Sequence, residues 1–454
     1  MSSITLDTTL RDLYYSNNDI GEEDITLLYA VPTARVQMAS GFPASKLFTY
    51  QSPLSPSEDA DELAREFLQL VPQLFGFIAG KMPLVMFDLD PDPAEDKVGD
   101  LRLHQADAYA TCRALTPSQR PHLRFIRTTQ DLELGPSGRL AIINPVDSLA
   151  SLPLLVSAEG HYAALSKREL AFSGLPCPET VVLDTVCSPQ ELANSQVLER
   201  EVRRLIGCLK VHPIPAVWKL PQSLSGQGTF IIRTEASRAA AIRVLRVEIR
   251  RMLESITPQN AKWNPCSVIL QEMVPGEAVA LSLFVTRSGK AVFNACCSQL
   301  VDDQGSWGGG FIDYCAQDKL KARYAAIADM IASHVRSLGY WGPMGADIMT
   351  STDGRQLVID MNVRVTGSHP LGALRGHFQA RGLHVAALFF PLVIKGVRED
   401  FETAFTEEIQ KGSLVVNAWV HMRDGLTSMT TLTLGAPDRE SLAPFIAKVN
   451  AWKV

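Results

Sequence analysis

Between about residues 161 and 395 the chain alternates short apolar runs with longer stretches of helical spacing. "PAVWKL" and "TFIIRT" read as strands around a Ser/Gly loop, and "CSVILQE" and "AVALSLFVTRSGKAVFNACCSQL" as strands joined by turn residues. "EASRAAAIRVLRVEIRRMLESI" and "DKLKARYAAIADMIASHVRSLG" carry apolar positions at helical spacing, and a further helix is expected over about 371–391. Upstream, residues 1 to about 160 predict an α/β domain with a short parallel sheet. "ITLLYA", "PLVMFDL" and "RLAIINP" are strand-length runs there, and "SEDADELAREFLQLV" is a capped amphipathic helix. The last sixty residues predict two strands, "SLVVNAWVHM" and "SMTTLTLG", and a closing helix.

One hairpin carries polar residues where its pattern demands a reason. In "GADIMTSTDGRQLVIDMNVRVTG" two apolar runs flank Asp353-Gly354, the pair favoured in a two-residue type I′ turn. That turn sets Asp347 opposite Asp360 and Gly345 opposite Asn362. Alternation then puts Asp347, Asp360 and Asn362 on one face and Ala346, Ile348, Ile359 and Met361 on the other. Opposed carboxylates repel. An oxygen-only set of this kind suits Mg²⁺, and a solvent-facing hairpin with unpaired acids fits the hairpin alone equally well.

Composition narrows the classes. The chain has 454 residues, 46% hydrophobic and 20% charged, with net charge −6, which is ordinary for a globular protein and offers no basic nucleic-acid footprint. Arg200, Arg203 and Arg204 read as a solvated helix face, and "DLDPDPAEDKVGD" as a solvated loop. The N-terminus lacks a signal-peptide pattern, and the longest apolar run, "VAALFFPLVI", falls short of the ~20 residues of a membrane helix. Eight cysteines without C-x-x-C suggest reduced thiols, hence a cytoplasmic protein.

Two further stretches suit nucleotide chemistry. In "VWKLPQSLSGQGTFIIRT" a strand-end lysine precedes a small-residue loop whose N–H groups can cradle phosphates; a plain flexible hairpin is the alternative. "VILQEMVPGEAVALSLF" offers a turn whose backbone could read an adenine edge, though alone it is an ordinary turn.

The order of these motifs resembles the ATP-grasp superfamily. The matching features are Lys167 before "SGLPCPE", Lys219 before "SLSGQG", the hinge "QEMVPGE", and Asp347 followed by "DMNVR". The finer pattern, "DMNVRVTGSHPLGALRGHF" with "SWGGG", resembles amino-acid and peptide ligases, fungal relatives included. Leu220 separates Lys219 from Pro221, Val363 interrupts the usual Asn-Pro-Arg, and Asp360 stands where the longer Glu is commoner.

The resemblance implies an α/β protein with α+β lobes. The N-terminal α/β domain spans 1–160, a two-lobed ATP-grasp domain 161–395 with its hinge near 271–277, and a small α+β domain 396–454. It implies that Lys167 and Lys219 contact ATP phosphates under a loop containing Ser225, Gly226 and Gly228. Glu272 and Val274 would flank adenine, and Glu277 would hold ribose. Asp347, Asp360 and Asn362 would bind Mg²⁺, with Mn²⁺ as the alternative ion. Arg364 would act with Lys219 in catalysis, facing the transferred phosphate and the acyl group.

The implied reaction joins a small carboxylic acid to an amine, such as an amino acid, through an acyl phosphate, releasing ADP and phosphate. A kinase or carboxylase of the same superfamily and a non-catalytic ATP-binding module are the alternatives. Arg375, His369, Trp307 and the N-terminal domain are candidates for specificity. Residues 299–315 are either a mobile cover, with Gly308–Gly310 giving it mobility and Trp307 an apolar cap, or an ordinary loop. Nucleic acid and membrane are not expected as partners, and a homodimer is the commonest assembly.

Overall fold

The computed structural model describes residues 3–17, 24–30, 46–51, 58–88, 97–98, 101–223, 226, 228–301 and 307–454. In the N-terminal part, four parallel strands lie in the order His122–Ile126, Pro83–Phe87, Ile25–Leu28, Arg139–Ile142. The helix Glu58–Gly76 packs over this region through Leu70, Val71, Leu74 and Phe75.

A second sheet is antiparallel, in the order Thr180–Asp184, Ser267–Glu272, Ala216–Lys219, Thr229–Ile232. The amphipathic helices Ser195–Val211 and Glu235–Glu254 share its core, where Trp218, Leu205 and Leu245 are buried. Thr234 starts the second of these helices with a reciprocal capping box to Ser237. Arg204 is paired with Glu201.

The third sheet has eight antiparallel strands. Gln356–Asn362 forms one edge, followed by Gly342–Ser351, Gly276–Val285, Ala291–Val301, Trp307–Asp313, Val385–Lys395, Thr427–Ala436 and Leu414–His421. The helix Gln317–Ser337 covers one face, packing Ile327, Ile331 and Val335 against Leu281, Leu283, Ile348 and Val358. The strands after residue 396 thus continue the same sheet.

Three expectations change. The helix expected over 371–391 is two short helices, His369–Ala373 and Arg375–Gln379, followed by the strand Val385–Lys395. Gly382, at φ +71°, follows the last helical turn. The apolar run beyond it is buried by sheet neighbours on both edges, a case where periodicity cannot separate helix from strand. Pro391 falls at the break in pairing between Phe389 and Leu392, where its missing N–H is harmless.

Second, Trp307–Asp313 is a strand paired on both sides, so Gly308–Gly310 are held in the sheet rather than giving mobility to a cover. Gly309, at φ +149°, lets the backbone approach the Leu388 carbonyl so closely that a Cβ has no room. Residues 302–306 lie outside the described residues.

Third, the Asp353-Gly354 turn is a three-residue loop. Ser351 N–H bonds the Arg355 carbonyl at 2.9 Å, and Gly354 takes φ +87°. A bulge at Ile359 then restores the register, so Asp347 does face Asp360 and Gly345 does face Asn362. Val358, not Ile359, fills the core.

Candidate active site

A cavity of about 930 Å³ is lined by residues of the second and third sheets, by the helix Glu58–Gly76, and by Tyr29 and Asn144, which follow strands of the parallel sheet. Lys219, Gly226, Glu272, Val274, Asp347, Asp360, Asn362, Arg364 and Trp307 all line it.

The hairpin supplies the acids. Asp347 accepts a 2.7 Å hydrogen bond from Gln299 Nε2, and Asp360 Oδ1 accepts one at 3.0 Å from its neighbour Met361 N–H. Burial pushes the Asp347 carboxyl above the ordinary carboxylate range, and the Asp360 charge opposite pushes it the same way. Gln299, Lys219 and Lys167 pull against them. Among the described residues no three His, Cys, Asp or Glu side chains cluster as a metal cage. Two carboxylates with one amide oxygen nevertheless fit Mg²⁺, which keeps water and phosphate oxygens in its shell.

The cations come from the second sheet and the helix beside it. Lys219, buried at a strand end, donates to Gln271 Oε1 at 2.8 Å and to the Ile359 carbonyl, so it reaches from one sheet to the hairpin of the other. Burial lowers its ammonium, and the Asp360 charge raises it in partial compensation. Ser166 caps the helix Lys167–Phe172. Lys167 does not line the cavity but stands behind it, 3.3 Å from Asp360 and 3.1 Å from the Ser223 carbonyl.

The loop between Lys219 and Thr229 is pinned from the N-terminal part, since Gln51 N–H donates to the Gln222 carbonyl at 2.9 Å. Gly226 is exposed at φ +76° and borders the cavity. Gly228 is buried instead and is not among the residues lining the cavity, and a Cβ there would collide with the Ser223 side chain. Ser225 lies outside the described residues.

At the hinge, Met273 and Val274 follow the end of the strand Ser267–Glu272, and their peptide groups hydrogen-bond to no described residue. Such an open edge suits a purine. Glu277 is different. It pairs with Thr350, whereas Ala280 pairs with Asp347, so Glu277 is on the opposite face from the acids. Thr350 meets Tyr324 of the helix Gln317–Ser337, which fixes that face as the helix side. The ribose role expected for Glu277 is therefore corrected: Ala278 occupies the cavity face at that level. Glu277→Ala is expected to leave the ATP dissociation constant within about twofold, the size of a surface substitution, as read by calorimetric titration.

Arg364 follows the hairpin, its N–H bonded to the Asn362 carbonyl at 2.8 Å. His161 holds the next turn through its Nε2 to the Val363 carbonyl at 2.6 Å, and burial lowers that imidazole to about 4, keeping it neutral. Burial also lowers the Arg364 guanidinium, opposed by the nearby Tyr29, Asp360, Tyr50 and Tyr340. No described residue forms an ion pair or a hydrogen bond with that guanidinium.

Arg375 and His369 do not reach the cavity. Arg375 pairs with Asp318 at 3.1 Å, and His369 is buried with its Nδ1 on Thr366. Sequence reading missed Gln299 and Gln271, which position Asp347 and Lys219. It also missed Phe67, Val71, Phe75 and Phe390, which complete the cavity wall.

Residues 211–368 match the family model described as an ATP-grasp domain. This stretch is an ATP-grasp domain. It contains Lys219, the strand end at Met273 and Val274, the acid pair and Arg364, and one solved structure shares the fold over nearly the whole chain. An N5-carboxyaminoimidazole ribonucleotide synthetase in complex with ADP shares the fold at 12% identity and a TM-score of 0.52, covering 96% of this chain and 97% of that one. The Staphylococcus aureus N5-carboxyaminoimidazole synthetase with ADP aligns at 9% identity and TM-score 0.48, over 95% and 98% of the two chains. The phosphoribosylamine–glycine ligase of Thermotoga maritima aligns at 12% and 0.48, over 92% and 94%. No curated protein matches the sequence. All eight cysteines are free thiols, and no described helix is long and apolar enough to cross a membrane.

The acids of the ATP-grasp domain make a pH prediction. The folded Asp347 binds its proton more tightly than the unfolded chain, whose value is about 3.9. In nucleotide-free, metal-free buffer, stability therefore declines as pH rises above about 4 toward the folded value. Asp347→Asn is expected to remove this decline, matching the parent at pH 4 and exceeding it at pH 8 in urea unfolding. Parallel curves for the two proteins would refute it.

Proposed function

We propose that the chain is an ATP-dependent carboxylate–amine ligase that works through an acyl phosphate. The observation that carries this reading is Arg364, an enclosed guanidinium with no described partner, sharing a cavity with Lys219 and the acid pair. A permanently charged planar fork placed this way suits a carboxylate and the oxyanion formed from it.

Adenine would lie along Met273 and Val274, with Lys219 directed at the phosphates and Lys167 behind the acid pair. Asp347, Asp360 and Asn362 would hold Mg²⁺, which supplies charge neutralisation of the phosphate oxygens. A substrate carboxylate oxygen attacks the γ-phosphorus, and the bond to the β-phosphate oxygen breaks, leaving ADP. The amine nitrogen then attacks the acyl carbon, inorganic phosphate leaves, and the nitrogen loses a proton. Arg364 stabilises the oxyanion of the second step. Trp307, seated against Gly367, screens the acyl phosphate from water.

The test is product analysis with Mg-ATP, carboxylic acids and amines. ADP and phosphate rising together only when acid and amine are both present is the expected result. ADP without free phosphate would mean a kinase, and AMP with pyrophosphate would overturn the acyl-phosphate route.

A further inference from the structure

Resting on the ligase reading, a second division of the cavity concerns its substrate end. The polar lining gathers on the hairpin and the second sheet. The opposite wall is aromatic. Phe67, from the helix Glu58–Gly76, stacks on Phe390 with ring centroids 6.0 Å apart and planes 28° from parallel. Phe390 in turn meets Trp307 at 5.6 Å. All three are only partly buried and all line the cavity. Tyr29 and Phe75 form an edge-on pair at 6.0 Å, and Val71 lies one helical turn from Phe67.

A water-filled aromatic wall is costly, because that apolar area remains wet until something apolar covers it. The described lining from the N-terminal part includes no charged residue. The cations of the lining are Lys219, Arg233 and Arg364. Lys219 is bonded to Gln271 and Ile359, and Arg233 follows the strand Thr229–Ile232 beside the Lys219 loop. Arg364 remains to receive an anion next to the aromatic wall. Three residues beyond it, Gly367 packs directly on Trp307, so the guanidinium and the wall belong to one pocket.

We infer that the acid substrate carries an apolar side chain of benzyl or isobutyl size. That side chain lies on Phe67, Phe390 and Trp307, with the carboxylate at Arg364, and the pocket does not take a phosphorylated sugar. A phosphate would need cations or unpaired N–H groups at the far end, whereas this end presents rings. Phe67 and Phe390 are specificity-determining residues; neither touches the reacting atoms.

The experiment pairs binding with turnover on the full chain. L-Phenylalanine, L-leucine, L-aspartate and ribose 5-phosphate are titrated calorimetrically in the presence of Mg-ADP. ADP release from Mg-ATP is then followed for each with a panel of amines. The expected result is binding of phenylalanine and leucine, weakened about tenfold by Phe67→Ser and by Phe390→Ser, with KM for ATP unchanged. The two substitutions sit in different parts of the chain, so misfolding of one leaves the other as the test.

Tighter binding of aspartate or ribose 5-phosphate would overturn the inference, as would unaltered phenylalanine binding by both variants. Apolar binding that both variants weaken, without ADP release, would sustain the pocket and sink the ligase reading. ADP and phosphate released together by aspartate with an amine, and by neither phenylalanine nor leucine, would do the reverse.

Discussion

Asp360→Asn should abolish ADP formation while leaving the protein folded. The side chain keeps its shape, and an amide oxygen can still accept the Met361 N–H. Lys167 retains the Ser223 carbonyl. What disappears is one of the two carboxylate charges proposed to hold Mg²⁺ beside the transferred phosphate. Losing one preorganised electrostatic group costs about 10²–10³ in rate, and a paired metal site should lose at least that. The apo melting temperature should shift little, because relief of the repulsion between the opposed carboxylates is offset by loss of the Lys167 ion pair and of the charge that compensates Lys219. The decisive comparison is ADP release beside a thermal melt run with and without Mg-ATP. Near-parental turnover would remove Asp360 from the machinery.

A loss of the same order is expected for Lys219→Ala, with a different signature. Lys219 is buried at an electrostatic cost, and its ammonium spans from the second sheet to the Ile359 carbonyl. Its removal leaves Gln271 Oε1 and that carbonyl without their donor, so a modest destabilisation accompanies the loss of turnover. Lys219→Met restores the apolar stem without the charge. It should recover packing and remain inactive, which separates the charge from the fold. Single-turnover ADP formation in saturating Mg-ATP reads this directly; activity in the methionine variant would refute the assignment.

How much of this was legible depends on which interactions fix each element. Strands bounded by turn residues and helices with clear caps, such as the one Thr234 starts, declare themselves locally. The strand Val385–Lys395 does not, because only its partners on both edges make it a strand. The acid pair was placed correctly through two errors that cancel: the turn is one residue longer than expected, and the bulge at Ile359 takes that residue up. Glu277 had no such rescue. Spacing along a motif does not reveal which side of a strand a residue takes, and a slip of one reverses it. Gln299 was within reach, since it shares the alternating face of Cys297, which pairs with Ala280 opposite Asp347. The aromatic wall was not, because it is assembled from a helix and strands more than two hundred residues apart.

The eight-stranded sheet bears on where the chain can be cut. Val385–Lys395 is eleven residues long, and its far edge is satisfied by Thr427–Ala436. A fragment ending at 395 would bare that edge along an apolar strand, a template for pairing with a second molecule. The final sixty residues thus act as the selvedge of the eight-stranded sheet. Proteolytic trimming there would yield insoluble material, whatever the state of the nucleotide site.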